Sequence, residues 1–164
     1  VGVDYTSPAA DLLADAHALP FRSRSFDAIL SYAVLEHLYN PFVALMEVER
    51  VLRPGGVLFG TVSQGEPFHD SFFHHTTFGV LAAFAAARLR VVHLWPSYDT
   101  LHALATMGRY PRPQRMLIEA LFRLGEAFPQ LAPRKHFRWT AREKSVDALH
   151  RAASICFVAT AMGE

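Results

Sequence analysis

Two apolar runs of strand length flank a helical pattern, and this arrangement restricts the possible folds more than any other feature of the chain. The first run, Phe26–Tyr32, reads FDAILSY, and the second, residues 57–62, reads VLFGTV. Between them, apolar side chains recur every three or four residues, which predicts a helix over residues 41–52. Two strands joined through a helix form a right-handed crossover between parallel neighbours, so the pattern predicts an α/β fold.

The residues at the ends of this helix support the assignment. Asn40 followed by Pro41 is typical of a helix start, because asparagine caps the first turn and proline is tolerated there. The sequence Arg53-Pro54-Gly55-Gly56 ends the helix, since proline cannot continue it and glycine accepts a positive φ. The second strand then follows directly.

Four short motifs occur in order around this unit. They are D-A-x-x-L-P-F at 15–21, S-F-D-A-I-L-S at 25–31, L-E-H-L at 35–38 and E-x-x-R-V-L-R-P-G-G at 47–56. Together they resemble the class I S-adenosylmethionine-dependent methyltransferases of the small-molecule kind, methyltransferase type 11. The resemblance implies a Rossmann-like three-layer sandwich with a mostly parallel sheet and an antiparallel last strand.

The resemblance also implies cofactor-binding residues at three strand ends: Asp4, Tyr5, Asp15, Ala16, Ser31 and Tyr32. One carboxylate can accept hydrogen bonds from both ribose hydroxyls, and Asp4 matches that acid. Asp15 resembles the acid that accepts the adenine amino hydrogen, with the Ala16 amide facing a ring nitrogen. Two alternatives remain: Asp15 caps the turn into Leu19, and Tyr5 is simply a surface residue of a turn.

One expected part of the family pattern is missing. The glycine-rich G-x-G-x-G loop and the first strand have no counterpart, because only three residues precede Asp4. We therefore expect the chain to match the family from its second strand onward and to be an N-terminally truncated fragment. The third strand is expected at residues 11–16. Too few residues separate it from Asp4 for the usual crossover helix.

The acceptor side of the predicted site carries several histidines. His37, His74 and His75 are candidate general bases, and Glu36 and His69 are candidate substrate contacts in the crevice. The alternative for His37 is that it orders its loop through the backbone. His69, His74 and His75 are also possible imidazole ligands of a metal ion. Because adjacent histidines do not converge easily on one ion, the sequence predicts no metal site.

The remaining chain predicts further elements. These are a helix at residues 78–88 capped by Thr77, a strand at 89–95, a helix ending at 107, a helix at 114–128, a helix from Thr140 to His150 and a last strand at 153–161. The last strand is expected to be antiparallel and at the sheet edge. Residues 109–143 form a predicted helical cap insertion, which covers the active site or mediates a homodimer. The segment at 135–139 (KHFRW) is expected to stack on a base or to pack on a neighbouring helix.

Composition predicts a single domain over all 164 residues, 51% of which are hydrophobic. Residues 1–108 carry six Lys and Arg against ten Asp and Glu, whereas residues 109–164 carry ten against five. We interpret this basic excess as solvated helix surface, which does not favour a nucleic-acid partner. A single cysteine, Cys156, and the lack of a membrane-length apolar run favour a cytoplasmic protein with no membrane partner.

The function expected from these residues is transfer of a methyl group from S-adenosylmethionine to a small molecule by in-line displacement. The alternative is an incomplete, non-catalytic domain that serves as an interaction module. An acid after the second strand also suits a nicotinamide cofactor, so a nicotinamide-dependent oxidoreductase is a further alternative. The L-P-F and P-G-G motifs argue against it.

Overall fold

A computed structural model describes residues 1–67, 69–106, 110–127 and 141–163. In chain order the elements are β1 (Val3–Asp4), β2 (Leu12–Leu13), β3 (Phe26–Tyr32), a 3₁₀ turn (Leu35–His37), α1 (Pro41–Val51), β4 (Leu52–Ser63), α2 (Thr77–Ala86), β5 (Leu89–Pro96), α3 (Thr100–Thr106), α4 (Arg112–Ala127), α5 (Ala141–His150) and β6 (Ser154–Ala161).

The described strands form two sheets. β1 and β2 make a parallel pair, and the larger sheet has the order β3-β4-β6-β5. β3 and β4 are parallel, and β6 is antiparallel to both of its neighbours, so β3, β4 and β5 run in one direction. This confirms the predicted α/β fold with an antiparallel last strand. The expected position of that strand was wrong, because β6 lies between β4 and β5 and leaves β5 at the edge.

Most predicted elements are confirmed, and the differences arise at their ends. β2 contains only Leu12 and Leu13, whereas a strand over residues 11–16 was predicted. Residues 5–11 form turns without a helix, as expected from the short connection. β4 begins at Leu52 rather than at 57, because the Pro-Gly-Gly segment continues the strand. Gly55 allows this with a φ of 76°, next to an irregularity in the pairing with β3.

The cap of α2 also differs from the expectation. Thr76, and not Thr77, accepts a hydrogen bond from the Gly79 backbone N–H through its side chain. Both threonines are capable caps, and the burial of Thr77 decides between them: its hydroxyl faces inward and donates to Gln64 Oε1. Sequence alone cannot rank two adjacent threonines.

The core lies between the four-stranded sheet and helices α1 and α2. Leu58 and Val62 of β4 and Ile155 and Phe157 of β6 are fully buried. Phe84 of α2 packs edge-on against Phe157, with the ring centroids 4.9 Å apart. Burying each such side chain contributes about 2 kcal/mol, so the central strands hold the helices in place.

The predicted helical insertion is described only in part. α4 confirms the helix expected at residues 114–128 and packs against α3. The predicted segment at 135–139 and the predicted cap Thr140 lie outside the described residues. Assignment of residues 109–143 as a cap over the site therefore stays a prediction. Among the described helices, none combines the length and apolar character needed to cross a bilayer.

We predict that Gly60→Ala strongly destabilises the fold. A Cβ at Gly60 would lie 1.8 Å from the Ser31 carbonyl oxygen, which no rotamer change relieves because the obstacle is backbone. The loss should be about 3 kcal/mol in the free energy of unfolding, measured by chemical denaturation. Gly163→Ala is the matched control, because its Cβ would meet only Pro54 at an ordinary 3.7 Å. Equal stability of the two variants would contradict the packing described here.

Candidate functional site

The first part of the candidate site lies at the ends of β1 and β2. Asp4 is the last residue of β1 and pairs with Leu13, two residues before Asp15. The Ala14 backbone N–H donates to the Asp4 carbonyl oxygen at 3.0 Å. Because the two strands are parallel, both acids lie at the same edge, on neighbouring strand ends. The nucleoside-binding prediction requires this placement, and the binding role itself stays a prediction.

The Asp4 side chain is held by its own turn. Its Oδ1 accepts hydrogen bonds from the backbone N–H groups of Thr6 and Ser7, each at 2.8 Å. These bonds, that from Thr6 first, lower the pKa of Asp4, so the group is a carboxylate at neutral pH. Oδ2 makes none of the hydrogen bonds found among the described residues and is available to a ligand. Tyr5 follows on the surface with 74% of its area exposed.

Asp15 is fixed by a histidine that the sequence did not single out. Its Oδ1 accepts from the His17 backbone N–H at 2.9 Å and lies 2.6 Å from His17 Nδ1. Hydrogen bonding to His17, through the backbone first, lowers the pKa of Asp15. His17 Nε2 accepts from the Asn40 backbone N–H at 3.2 Å, so the proton of the neutral ring is on Nδ1. The turn-capping alternative for Asp15 is therefore confirmed, and adenine recognition stays a prediction.

The loop after Asp15 is fastened to α1 by two residues of the E-x-x-R motif. Glu47 Oε2 accepts from the Leu19 backbone N–H at 2.8 Å, and Arg50 donates to the carbonyl oxygens of Leu19 and Phe21 at 2.9 and 2.8 Å. Arg50 also binds Glu47 directly, which lowers the pKa of Glu47. Glu47 and Arg50, which we call the clamp, thus hold the loop that follows Asp15 against α1.

The end of β3 lies between the two halves of the site. Ser31 is buried and Tyr32 is 70% exposed. Ala33 follows with a φ of 52°, a left-handed conformation that alanine rarely adopts, and its N–H points to the carbonyl and hydroxyl oxygens of Thr61, both at 3.2 Å. Such a conformation costs about 1 kcal/mol, and Arg24 and Arg88 adopt it as well, outside the candidate site. No sequence signal identified Ala33 or Thr61.

The loop after β4, described at residues 64–67 and 69–76 and predicted to face the acceptor, is attached to the 3₁₀ turn through main-chain hydrogen bonds. The N–H groups of Phe72 and Phe73 donate to the Glu36 carbonyl oxygen at 2.9 and 3.2 Å. The His75 N–H donates to the Ser63 carbonyl oxygen at 2.8 Å. These bonds bring the four histidines predicted for this side, His37, His69, His74 and His75, to the carboxyl ends of β3 and β4.

Glu36 occupies a different position from the one expected. The predicted orientation toward the crevice was wrong, because the side chain is completely buried beneath the loop. Its Oε1 accepts from the Ser63 N–H at 3.2 Å, and its Oε2 is buried without a hydrogen-bond partner. Burial is the main cause that raises the pKa of Glu36. Direct contact with a substrate, as predicted, does not fit this conformation.

The histidines form a chain of rings. The ring centroids of His37 and His69 are 4.8 Å apart, and those of His69 and His74 are 6.3 Å apart. His37 and His74 are exposed, whereas His75 is half-buried. Burial first, and the neighbouring His74 second, lower the pKa of His75. A neutral imidazole at pH 7 can accept a proton, so the arrangement suits the predicted bases, whose catalytic roles stay predictions.

A cavity of about 280 Å³ lies beside these histidines. Phe73, His74 and His75 of the loop line one side, and Tyr39 and Phe42 contribute aromatic walls from the start of α1. Its size suits a small organic molecule, and its mixture of aromatic walls with imidazoles is typical of a small-molecule site.

The structure groups a set of possible metal ligands that differs from His69, His74 and His75. Ligand atoms of Glu36, His37 and His69 lie within 4.8 Å of one another. His74 and His75 are not part of that group. Sequence spacing could not find this cluster, because His69 lies 32 positions after His37.

Comparisons with known proteins bear on the family of the chain. Residues 3–60 match a family whose description is methyltransferase domain. This segment is a methyltransferase-domain sequence. The predicted resemblance is therefore confirmed, and the match covers β1 through most of β4, including Asp4, Asp15 and the 3₁₀ turn.

Two curated relatives align with the methyltransferase segment. The chain is 37% identical over 59 residues to a ubiquinone biosynthesis O-methyltransferase of Parvibaculum lavamentivorans, covering 36% of this chain and 21% of that protein. It is 33% identical over 63 residues to the mitochondrial arginine-hydroxylase NDUFAF5 of Danio rerio, covering 38% and 20%. The chain covers only 16–28% of the length of each of five curated relatives.

A solved structure supports the fold over nearly the whole chain. The geranyl diphosphate C-methyltransferase from Streptomyces coelicolor, solved with Mg²⁺, geranyl diphosphate and S-adenosyl-L-homocysteine, superposes with a TM-score of 0.51. The alignment covers 92% of this chain and 53% of that one at 13% identity. At this identity the likeness establishes a shared Rossmann-like fold and does not establish a shared activity or substrate.

α4 presents apolar side chains to solvent outside the methyltransferase segment. Met116, Leu117 and Leu121 are each at least 60% exposed. Such a face is compatible with the predicted homodimer, which stays a prediction.

We predict that the stability of the domain decreases as the pH falls through the range in which His75 titrates. The pKa of His75 is below its ordinary 6.5 in the folded state. Unfolding therefore takes up a proton below pH 6.5, and stability present above that pH is lost as the pH falls through the folded value. His75→Gln should flatten the dependence of the unfolding free energy between pH 7.5 and 5.5. His93→Gln, at an exposed position of β5, should leave it unchanged. An identical slope in both variants would disprove the assignment.

Proposed function

We propose that the chain is part of an enzyme that transfers a methyl group from S-adenosylmethionine to a small-molecule acceptor. The observation that carries the proposal is the pair of carboxylates on neighbouring parallel strand ends, within a methyltransferase-domain sequence. The likeness to a methyltransferase solved with S-adenosyl-L-homocysteine supports the choice of cofactor.

The residues present fit the nucleoside part of that cofactor. Asp4 is ionised and exposed, and its Oδ2 is not used by the turn. It would accept hydrogen bonds from the ribose hydroxyls, while Asp15 would accept the adenine amino hydrogen beside the Ala16 amide. His17 holds Asp15 in place, so this acid needs little reorganisation on binding. Ser31 and Tyr32 would lie along the path of the cofactor at the end of β3.

S-adenosylmethionine supplies a methyl group that is already activated by its sulfonium. The protein therefore has to position the acceptor, exclude water and, where the acceptor is acidic, remove a proton. His75 is neutral at pH 7, and it lines the 280 Å³ cavity together with His74. These two imidazoles are the groups that would take the proton. Phe73 and Tyr39 would flank an aromatic or apolar acceptor.

The second candidate function is a non-catalytic interaction module, and one observation favours it. β1 and β2 form a sheet of their own, and β3 pairs on only one side among the described residues. Among the described residues, no continuous series of strand hydrogen bonds therefore joins the ends of β1 and β2 to the end of β3. In this second candidate the two acids serve only as turn caps, and no nucleoside binds.

We predict that Asp4→Asn weakens binding of S-adenosylhomocysteine at least about tenfold, measured by isothermal titration calorimetry. Asparagine keeps an oxygen that can accept from Thr6 and Ser7, but it removes the charge and the second acceptor oxygen. Asp27→Asn is a charge-matched control, because Asp27 pairs with Arg53 at the opposite end of β3.

The same titration separates the two candidate functions. Binding that is equal in Asp4→Asn and Asp27→Asn would remove the ribose role of Asp4. No detectable heat with the unmodified chain would favour the interaction module instead.

A further inference from the structure

Glu36, His37 and His69 form a cluster whose composition matches a known class of metal site. The ligand atoms of the three side chains lie within 4.8 Å of one another. Two imidazoles and one carboxylate are the donor set of several catalytic zinc sites and of non-haem iron sites. The cluster joins two separate elements, the 3₁₀ turn and the loop at residues 64–76.

The polar atoms at the centre of the cluster are not satisfied by the protein. Glu36 Oε2 and His69 Nε2 are both buried without a hydrogen-bond partner. His69 Nε2 is 3.7 Å from Glu36 Oε1, which is too long for a hydrogen bond. Two ligand atoms held about 2.1 Å from a tetrahedral ion lie about 3.4 Å apart, so this separation is close to that of two ligands of one ion.

The other nitrogen of His69 faces a second carboxylate, at a distance longer than a hydrogen bond. His69 Nδ1 faces Glu66 Oε2 at 3.7 Å, and the other oxygen of Glu66 accepts from the Tyr98 hydroxyl. A carboxylate hydrogen-bonded to a ligating histidine fixes the tautomer that leaves Nε2 free to bind the ion, and Glu66 would reach this role only if it moved closer to His69. Tyr98 in turn holds Glu66 in position. The arrangement therefore continues into a second layer of contacts.

Charge favours a cation at this point. Two carboxyl groups lie close to the cluster, since Glu36 is completely buried within it and Glu66 is 3.7 Å from His69. Burying an unpaired carboxylate is strongly unfavourable, and a divalent cation would offset both charges.

We propose that Glu36, His37 and His69 bind a divalent transition-metal ion of the Zn²⁺ kind. Because His37 is exposed, the ion would lie between the buried carboxylate and solvent, with at least one position left for water or a substrate oxygen. Two nitrogen ligands disfavour Mg²⁺, which prefers oxygen. The proposal does not depend on methyl transfer, and it can be tested without cofactor or acceptor.

The experiment measures metal binding through thermal stability. The full chain is treated with a chelator, dialysed and then titrated with ZnSO₄ or MgSO₄ while its unfolding temperature is recorded. Zn²⁺ should raise the unfolding temperature at one ion per chain, because an ion that binds only the folded state stabilises it. Mg²⁺ at the same concentration should not.

Three variants test the ligands. His37→Gln and His69→Gln should each weaken the zinc effect at least about tenfold. Because His37 is exposed, we expect its replacement to leave folding undisturbed. Glu36→Gln should remove the zinc response while retaining an oxygen for the Ser63 N–H. His93→Gln is the surface-histidine control and should respond as the unmodified chain does. The proposal is overturned if Zn²⁺ gives no shift, or if the shift survives in His37→Gln and His69→Gln.

Discussion

The parallel pairing of β3 with β4 determines the position of every group on the acceptor side of the candidate site. The pairing sets Ser31 opposite Gly60 and Tyr32 opposite Thr61, at a distance that leaves no room for a side chain at residue 60. Because both strands end at the same edge, the 3₁₀ turn after β3 and the loop after β4 meet there. Glu36 and the histidines come together for that reason, although they are far apart in sequence.

Glu36 shows how the domain combines stability with a candidate site. Its carbonyl oxygen accepts hydrogen bonds from the loop at Phe72 and Phe73, and its side chain accepts one from the Ser63 N–H. Glu36 is therefore a central structural residue. Its second carboxylate oxygen nevertheless has no partner, which is costly in a buried position. Purely structural residues seldom keep such a group, and the cost is understandable if the carboxylate also binds a ligand.

The sequence predicted the fold from local patterns, and its errors arose where tertiary contacts decide. β3 and α1 were placed correctly because apolar periodicity and the Asn40-Pro41 start are local signals. The position of β6 inside the sheet was missed, because strand order depends on pairing between distant residues. The same distinction between local signals and tertiary contacts applies to the candidate site. The placement of Asp4 and Asp15 at neighbouring strand ends followed from short motifs, whereas the burial of Glu36 and its approach to His69 depend on how a loop folds back.

The clamp formed by Glu47 and Arg50 connects the two sides of the molecule. Both residues belong to α1, and they hold the loop that follows Asp15, while the Asn40 cap of the same helix is bonded to His17. The first turn of α1 also lines the cavity beside His74 and His75. One helix, α1, thus supports both the loop that follows Asp15 and the cavity beside His74 and His75. A substitution in α1 that reshapes the cavity would therefore also displace the loop that holds Asp15, so a change on one side of the candidate site is transmitted to the other.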